Sequence, residues 1–247
     1  MNNTEEITNI KKNLRHYANP ERAKGEKKYL KSPWKFYGVD MDTRRKIVHE
    51  WLATNRKASM DEIANLAEKL WNSQWHEEKS LAIMLLAARK KELGPGRMPL
   101  LEKMINEATG WDHLDEISAH LIGAMIENDP KTLRFLPKWA KSKNFWVRRA
   151  SLLSQILLFR KGKGNYALFF KLAVPMFEEG KNWSKEERFF IRKAIGWTLR
   201  ELCKSKPQEV FKFVKKYKER MSGLTFREGS RNLPELQKKQ LKITRTT

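Results

Sequence analysis

Apolar residues recur every three to four positions through most of the chain. The pattern is plain in "IANLAEKLW", "LAIMLLAARKK", "ISAHLIGAMIE", "ASLLSQILLF" and "FFIRKAIGWTLRELC". That period belongs to amphipathic helices, and no stretch shows the sustained two-residue alternation of a hairpin. Asn19-Pro20, Asp129-Pro130 and Ser205-Lys206-Pro207 each place a cap-type residue at or near a proline suited to a first helical turn. "ELGPGRMP" and "RKGKGN" read as loops. The pattern predicts about a dozen helices of roughly 10 to 18 residues, paired every 35 to 45 residues as in a HEAT-like array. A globular helical bundle is the alternative on pattern alone. Periodicity fails after "MSGLTFREGSRNLPELQ", where Gly229 and Pro234 interrupt any long helix. A single helical domain over 1–225 and an irregular basic tail over 226–247 are expected.

Charge changes the picture next. The chain carries 51 Lys+Arg against 29 Asp+Glu, a formal net charge of +22. Such an excess draws polyanions, so nucleic acid leads the classes of partner. No apolar run approaches the roughly 18–20 residues that span a bilayer. The N-terminus "MNNTEEITNIKK" lacks a signal-peptide pattern, and a single cysteine, Cys203, fits a reducing compartment. A cytoplasmic protein with no membrane partner is expected. The five histidines form no HExxH and no second cysteine exists for a thiolate site, so no catalytic metal is expected.

Three stretches could carry chemistry. In "GWDHLDEIS", Leu114, Ile117, Leu121 and Met125 centre an apolar stripe, with Trp111 and Asp115 together on its flank, one turn apart. Asp115 there is either a half-sheltered functional carboxylate or a first-turn acid favoured by the helix dipole. In "FFIRKAIGWTLRE", Ile191, Ala194, Ile195, Thr198 and Leu202 share the core face. Trp197 lies off it among Phe190, Lys193, Arg200 and Glu201. An indole flanked by Lys193 and Arg200 either packs on the next repeat or meets a phosphodiester backbone. In "SKNFWVRRASLL", Asn144 is a plausible N-cap, which puts Arg148 and Arg149 in the first turns. Cations oppose the dipole there unless they meet an anion. "HEEKS" at 76–80 has no companion motif of a metal nuclease, and "KGKGN" is a basic loop. Cys203, near a helix C-terminus, reads as inert.

Six motifs in order resemble the AlkD-like DNA alkylation repair family of HEAT-like-repeat DNA glycosylases. They are "NPERAKGEKKYLK" with Tyr29, "FYGVDMDTRRK", "LWNSQWHEEKSLA", "GWDHLDEIS", "PKWAKSKNFWVRRAS" and "FFIRKAIGWTLRE", covering roughly residues 10 to 220. The resemblance implies an all-α, right-handed superhelical solenoid with a basic concave face that holds duplex DNA. It implies hydrolysis of the N-glycosidic bond of cationic alkylated bases, of 3-methyladenine and 7-methylguanine type, without metal or cofactor. By position it makes Asp115 the catalytic acid, Trp111 and Trp197 the aromatics that embrace the lesion's sugar, and Arg149 a phosphate contact with Arg148 beside it. Tyr29 matches an aromatic near the DNA. The basic "RKGKGN" and the "REGSRNLPEL" segment depart from the family pattern. A noncatalytic binder of damaged or branched DNA, and a protein-binding scaffold, are the rival readings. A repeat array is already a complete binding surface, so a monomer is expected.

Overall fold

The computed structural model describes residues 3–242. Among them every regular element is helical, and the one extended pairing is an isolated bridge between Lys35 and Trp75. The all-α expectation therefore holds. The helices gather into two compact units, Met1–Asp129 and Pro130–Thr247.

The first unit runs through α1 (Asn3–His16), α2 (Pro20–Leu30), α3 (Met41–Thr54), α4 (Met60–Trp71), α5 (His76–Ala88), α6 (Met98–Glu107), α7 (Trp111–Glu116) and α8 (Gly123–Asn128). The starts are set locally. Asn19 caps α2 through the Arg22 N–H at 3.0 Å, with Pro20 in the first turn, and Asp40 caps α3 through Thr43 at 2.9 Å. Ser59 and Glu62 close a reciprocal capping box on α4. Ile63, Leu66 and Leu70 of α4 and Leu81, Leu85 and Leu86 of α5 form the centre of the core.

At the start of α5 five consecutive polar residues, His76 to Ser80, are all buried. Burial of a polar group is tolerable only where its hydrogen bonds are met. Glu77 meets this by accepting the backbone N–H groups of Tyr37, Gly38 and Val39 at 3.1, 2.6 and 3.2 Å. Glu78 accepts the Tyr37 hydroxyl at 2.8 Å and faces Lys11 at 3.4 Å. Lys79 donates to the carbonyl of Trp71 and lies over the Trp34 and Trp71 rings. Burial pushes its amine down to about 8. The loop over 35–40 is thereby pinned against α5. Gly38 is required in it: φ is +77°, and a Cβ would stand 2.0 Å from the carbonyl oxygen of Asn19.

The second unit comprises α9 (Leu136–Ala140), α10 (Phe145–Leu153), α11 (Ile156–Arg160), α12 (Tyr166–Glu179), α13 (Lys185–Cys203), α14 (Pro207–Tyr217), α15 (Gly223–Ser230) and α16 (Glu235–Gln240). Helix α13 is its axis, packing on α10, α11, α14 and α15. The segment expected to be an irregular tail carries α15 and α16; residues 243–247 lie outside the described region. Two glycines explain the correction. A Cβ on Gly229 would sit 2.8 Å from Leu199, and one on Gly196 would sit 2.6 Å from Cβ of Glu228. Gly229 thus allows close approach of α15 to α13, and Pro234 stands at the N-cap of α16.

Removing the Glu77 carboxylate would orphan three buried N–H groups. Glu77→Ala is expected to cost about 3–5 kcal/mol of stability, measured by urea unfolding with the slope unchanged. A loss below about 1 kcal/mol would mean that the 35–40 loop does not depend on it.

Candidate active site

Helix α7 begins at Trp111 after Gly110, whose extended backbone provides no side-chain cap. Leu114, Ile117, Leu121 and Met125 are buried as the apolar stripe requires, and Trp111 and Asp115 are each half-buried on its flank. Tyr29, near the end of α2, is 74% exposed and meets Trp111 edge-on, with ring centres 6.2 Å apart at 87°. The first unit therefore brings together three of the residues singled out from sequence: Tyr29, Trp111 and Asp115 share one neighbourhood. Immediately after α7 the backbone winds as a π-helix over Ile117–Ile122 before α8 resumes. Such widened turns are uncommon and concentrate at functional sites. Nothing in the apolar spacing distinguishes this one from ordinary α-helix.

The residues between Trp111 and Asp115 hold the helix in place. Asp112 Oδ2 lies 2.5 Å from His76 Nε2 at the start of α5. Burial alone would raise the Asp112 pKa. The bond to His76 and the charges of the two nearby imidazoles outweigh it and bring the carboxyl to about 2. His113 is fully enclosed, and burial, reinforced by repulsion from His76, lowers it to about 3. It is neutral at pH 7 and shares a hydrogen bond with the Ser80 hydroxyl at 2.9 Å. Phe36, His76 and His113 form a continuous stack, with centre distances of 4.3 and 4.2 Å. Among the described residues the buried Nδ1 of His76 has no hydrogen-bond partner.

His76, Asp112 and His113 bring one possible ligand atom each within 4.8 Å of one another, a proximity that sequence spacing did not reveal. The two imidazoles are stacked with 23° between their planes, so an ion in the plane of one ring lies well out of the plane of the other. A single ion could not take both along their lone pairs. The cluster suits a hydrogen-bonded clamp better than a chelate. Beside it opens a cavity of about 380 Å³, whose walls include Tyr29, Arg44, His76, Asp112 and His113.

The residues expected from the second half of the chain are placed by α10 and α13. Trp197 is half-buried on α13, off a core face of Ile191, Ala194, Ile195, Thr198 and Leu202, as the helical period predicts. Lys193 and Arg200 flank it and both bond Glu228 of α15, at 3.0 and 2.6 Å. Asn144 caps α10 through the Trp146 N–H at 2.9 Å. Arg148 and Arg149 are buried, at 6% and 3% exposure. Arg148 donates to the Ser142 carbonyl at 2.5 Å and to Glu187 at 2.8 Å, and lies 4.5 Å over the Trp183 ring. Arg149 donates to the Phe190 carbonyl at 2.6 Å. Glu187 of α13 balances the Arg148 cation from within the unit. Cys203 is buried, which pushes its thiol up to about 11, in keeping with an inert role.

A family model described as DNA alkylation repair enzyme matches residues 10–233. Among solved structures the chain is similar to a predicted DNA alkylation repair enzyme from Enterococcus faecalis. That match has 26% identity and a TM-score of 0.73, over 88% of this chain and 97% of the other. It also shares its fold with smu.31 of Streptococcus mutans UA159, at 16% identity and a TM-score of 0.57, over 77% of this chain and 92% of that one. No curated protein matches the chain.

The clamp carries a pH signature. The folded pKa of His113, about 3, lies below its ordinary 6.5, so its stabilising contribution is complete above pH 6.5 and lost as pH falls toward 3. Asp112 adds a second loss from pH 3.8 toward 2. The melting temperature is expected to fall on acidification through this window, and His113→Gln should flatten the portion between pH 6.5 and 4. An unchanged slope in that variant would assign the acid sensitivity elsewhere.

Proposed function

The chain belongs to the DNA alkylation repair enzyme family, and from that premise we propose that it is a DNA glycosylase. Its substrates in this reading are cationic alkylated bases of the 3-methyladenine and 7-methylguanine type, released from duplex DNA by hydrolysis of the N-glycosidic bond. The observation that carries the reading is the half-buried pair Trp111 and Asp115, one turn apart on a clamped helix, with Tyr29 against the indole.

The chemistry needs little more. A glycosidase acting on a neutral sugar ether uses one carboxyl as acid and another as base or nucleophile. A base alkylated at N3 or N7 already carries a positive charge, so it leaves with the bonding electron pair and becomes neutral without a proton donor. What remains is an oxocarbenium-like sugar and the delivery of water. Asp115 answers both needs: its negative charge stabilises the developing cation, and it accepts the proton of the water whose oxygen bonds C1′. Partial shelter strengthens that interaction, because a half-buried charge is screened less than an exposed one. Indole faces attract the same cation, the role proposed for Trp111 and, from the second unit, for Trp197. Tyr29, Lys193 and Arg200 are proposed to meet the DNA backbone. Arg148 and Arg149, held inside the second unit, would act by bracing α10 against α13. The reaction so written routes no step through a metal or cofactor, and it needs one copy of the chain.

Selectivity then follows from the charge on the leaving group, and neutral lesions such as uracil or hypoxanthine are poor substrates. Single-turnover release of 7-methylguanine from duplex DNA should be cut more than tenfold by Asp115→Asn, equivalent to over about 1.4 kcal/mol of transition-state stabilisation. Release of uracil at a matching rate would overturn the mechanism. Binding of damaged duplex by both proteins with no base released by either would replace it with the noncatalytic reading.

A further inference from the structure

Helix α13 carries two stripes in which cations and an aromatic ring are interleaved. One is Lys193, Trp197 and Arg200, whose two cations share Glu228. The other lies nearer the N-terminus: Lys185, Arg188, Phe189 and Arg192, spaced by three and four residues and so on one face of the helix. Helix α15 meets both stripes with consecutive residues of opposite charge. Glu228 faces the first, and Arg227 joins the second.

The second stripe lines a groove of about 480 Å³ completed by Ser222, Gly223 and Leu224. Among the described residues none of Lys185, Arg188, Arg192 and Arg227 forms an ion pair. Phe189 stands in their midst with 51% of its surface exposed, its ring fixed edge-on against Phe190 at 5.3 Å. Four unneutralised cations lining a groove repel one another and lower the stability of the free protein, unless an anion meets them. An exposed ring among them loses hydrophobic free energy until something flat covers it.

We propose that this groove binds single-stranded DNA, with phosphates on Lys185, Arg188, Arg192 and Arg227 and an unpaired base stacked on Phe189. From Lys185 to Arg192 the stripe extends about 10 Å at the helical rise of roughly 1.5 Å per residue. That length accommodates two or three successive phosphates. A duplex offers the phosphates but keeps its base faces stacked inside, so it leaves Phe189 uncovered. An acidic peptide would satisfy the charge without supplying a planar face. Aromatic platforms set in basic grooves are the means by which single strands are held without sequence preference. The inference takes DNA as the partner from the proposed function and does not depend on the hydrolysis.

The test is fluorescence anisotropy with a labelled twelve-nucleotide oligo-dT and a twelve-base-pair duplex, each titrated at several salt concentrations. Phe189→Ala should weaken oligo-dT binding about tenfold and leave the duplex within twofold, while Phe189→Trp should keep or strengthen oligo-dT binding. Arg188→Glu with Arg192→Glu should make the slope of log affinity against log salt shallower by about 1.4 for oligo-dT, the value for two lost phosphate contacts on a single strand. Release of 7-methylguanine from the short duplex should stay within twofold in the Phe189 variants. Equal loss for single strand and duplex on removing Phe189, or an unchanged salt slope in the double variant, overturns the proposal. Oligo-dT binding of the expected kind without any base release leaves it standing and removes the glycosylase reading instead.

Discussion

Five polar side chains in a row, His76 to Ser80, enter the core of the first unit together, and the arrangement of that unit follows from the partner that each of them finds there. A helix ordinarily turns one face inward. Here the first turns of α5 are enclosed on every side, so each polar group needs its own partner. Glu77 takes three N–H groups of the 35–40 loop, Glu78 takes the hydroxyl of Tyr37, and Lys79 takes the last turn of α4. His76 takes Asp112, and Ser80 joins His113 to Arg44 of α3. The partners come from α3, α4, α7 and the loop before α3, so one short run sets where four segments lie. Two acids at the start of α5 also favour the free N–H end of the helix.

The candidate site inherits its geometry from that run. The two residues after Trp111 are bound by that run, Asp112 by His76 and His113 by Ser80. A helix with no side-chain cap at Gly110 would fray in its first turn. Bonding Asp112 and His113 to α5 removes that freedom, so the indole and the carboxylate are presented in a fixed relation to each other. Preorganisation of this kind is what electrostatic stabilisation of a short-lived cation requires, since a side chain that must reorient recovers little of its Coulomb energy. The low pKa of Asp112 and of His113 keeps the Asp112 carboxyl ionised and the His113 imidazole neutral throughout the neutral range.

Much of this was legible in the chain and some was not, for reasons that differ from residue to residue. The stripes of Leu114, Ile117, Leu121 and Met125, and of Ile191, Ala194, Ile195, Thr198 and Leu202, are local consequences of the helical period, and burial follows them. The flanking positions of Trp111, Asp115 and Trp197 follow from the same arithmetic, as does the cap at Asn144. The roles of His76 to Ser80 depend on partners as many as 67 residues distant, as Lys11 is from Glu78, and a run of polar letters reads as surface until those partners are known. The π-helical turn has no apolar signature. Gly229 is ambiguous by nature: the missing side chain that ends a helix in one setting admits a neighbouring helix in another, and only Leu199 on the facing helix decides between them.

Charge shows the same division between total and distribution. A net charge of +22 predicts attraction for a polyanion whatever the fold. It says nothing about which cations remain available. Arg148 sits at the start of α10, where a phosphate would be welcome, but Glu187 and the Ser142 carbonyl already occupy its guanidinium. Lys193 and Arg200 flank the indole as a backbone contact should, and Glu228 discounts both. Any strand that binds those two must compete with a carboxylate, which weakens the contact and makes it more selective in position. The bare cations of α13 lie around the helix from Trp197. One element thus carries both kinds of cation: those of the unpaired stripe are available to an anion, and those of the paired stripe are held by Glu228 beside the aromatic residue proposed to meet the sugar.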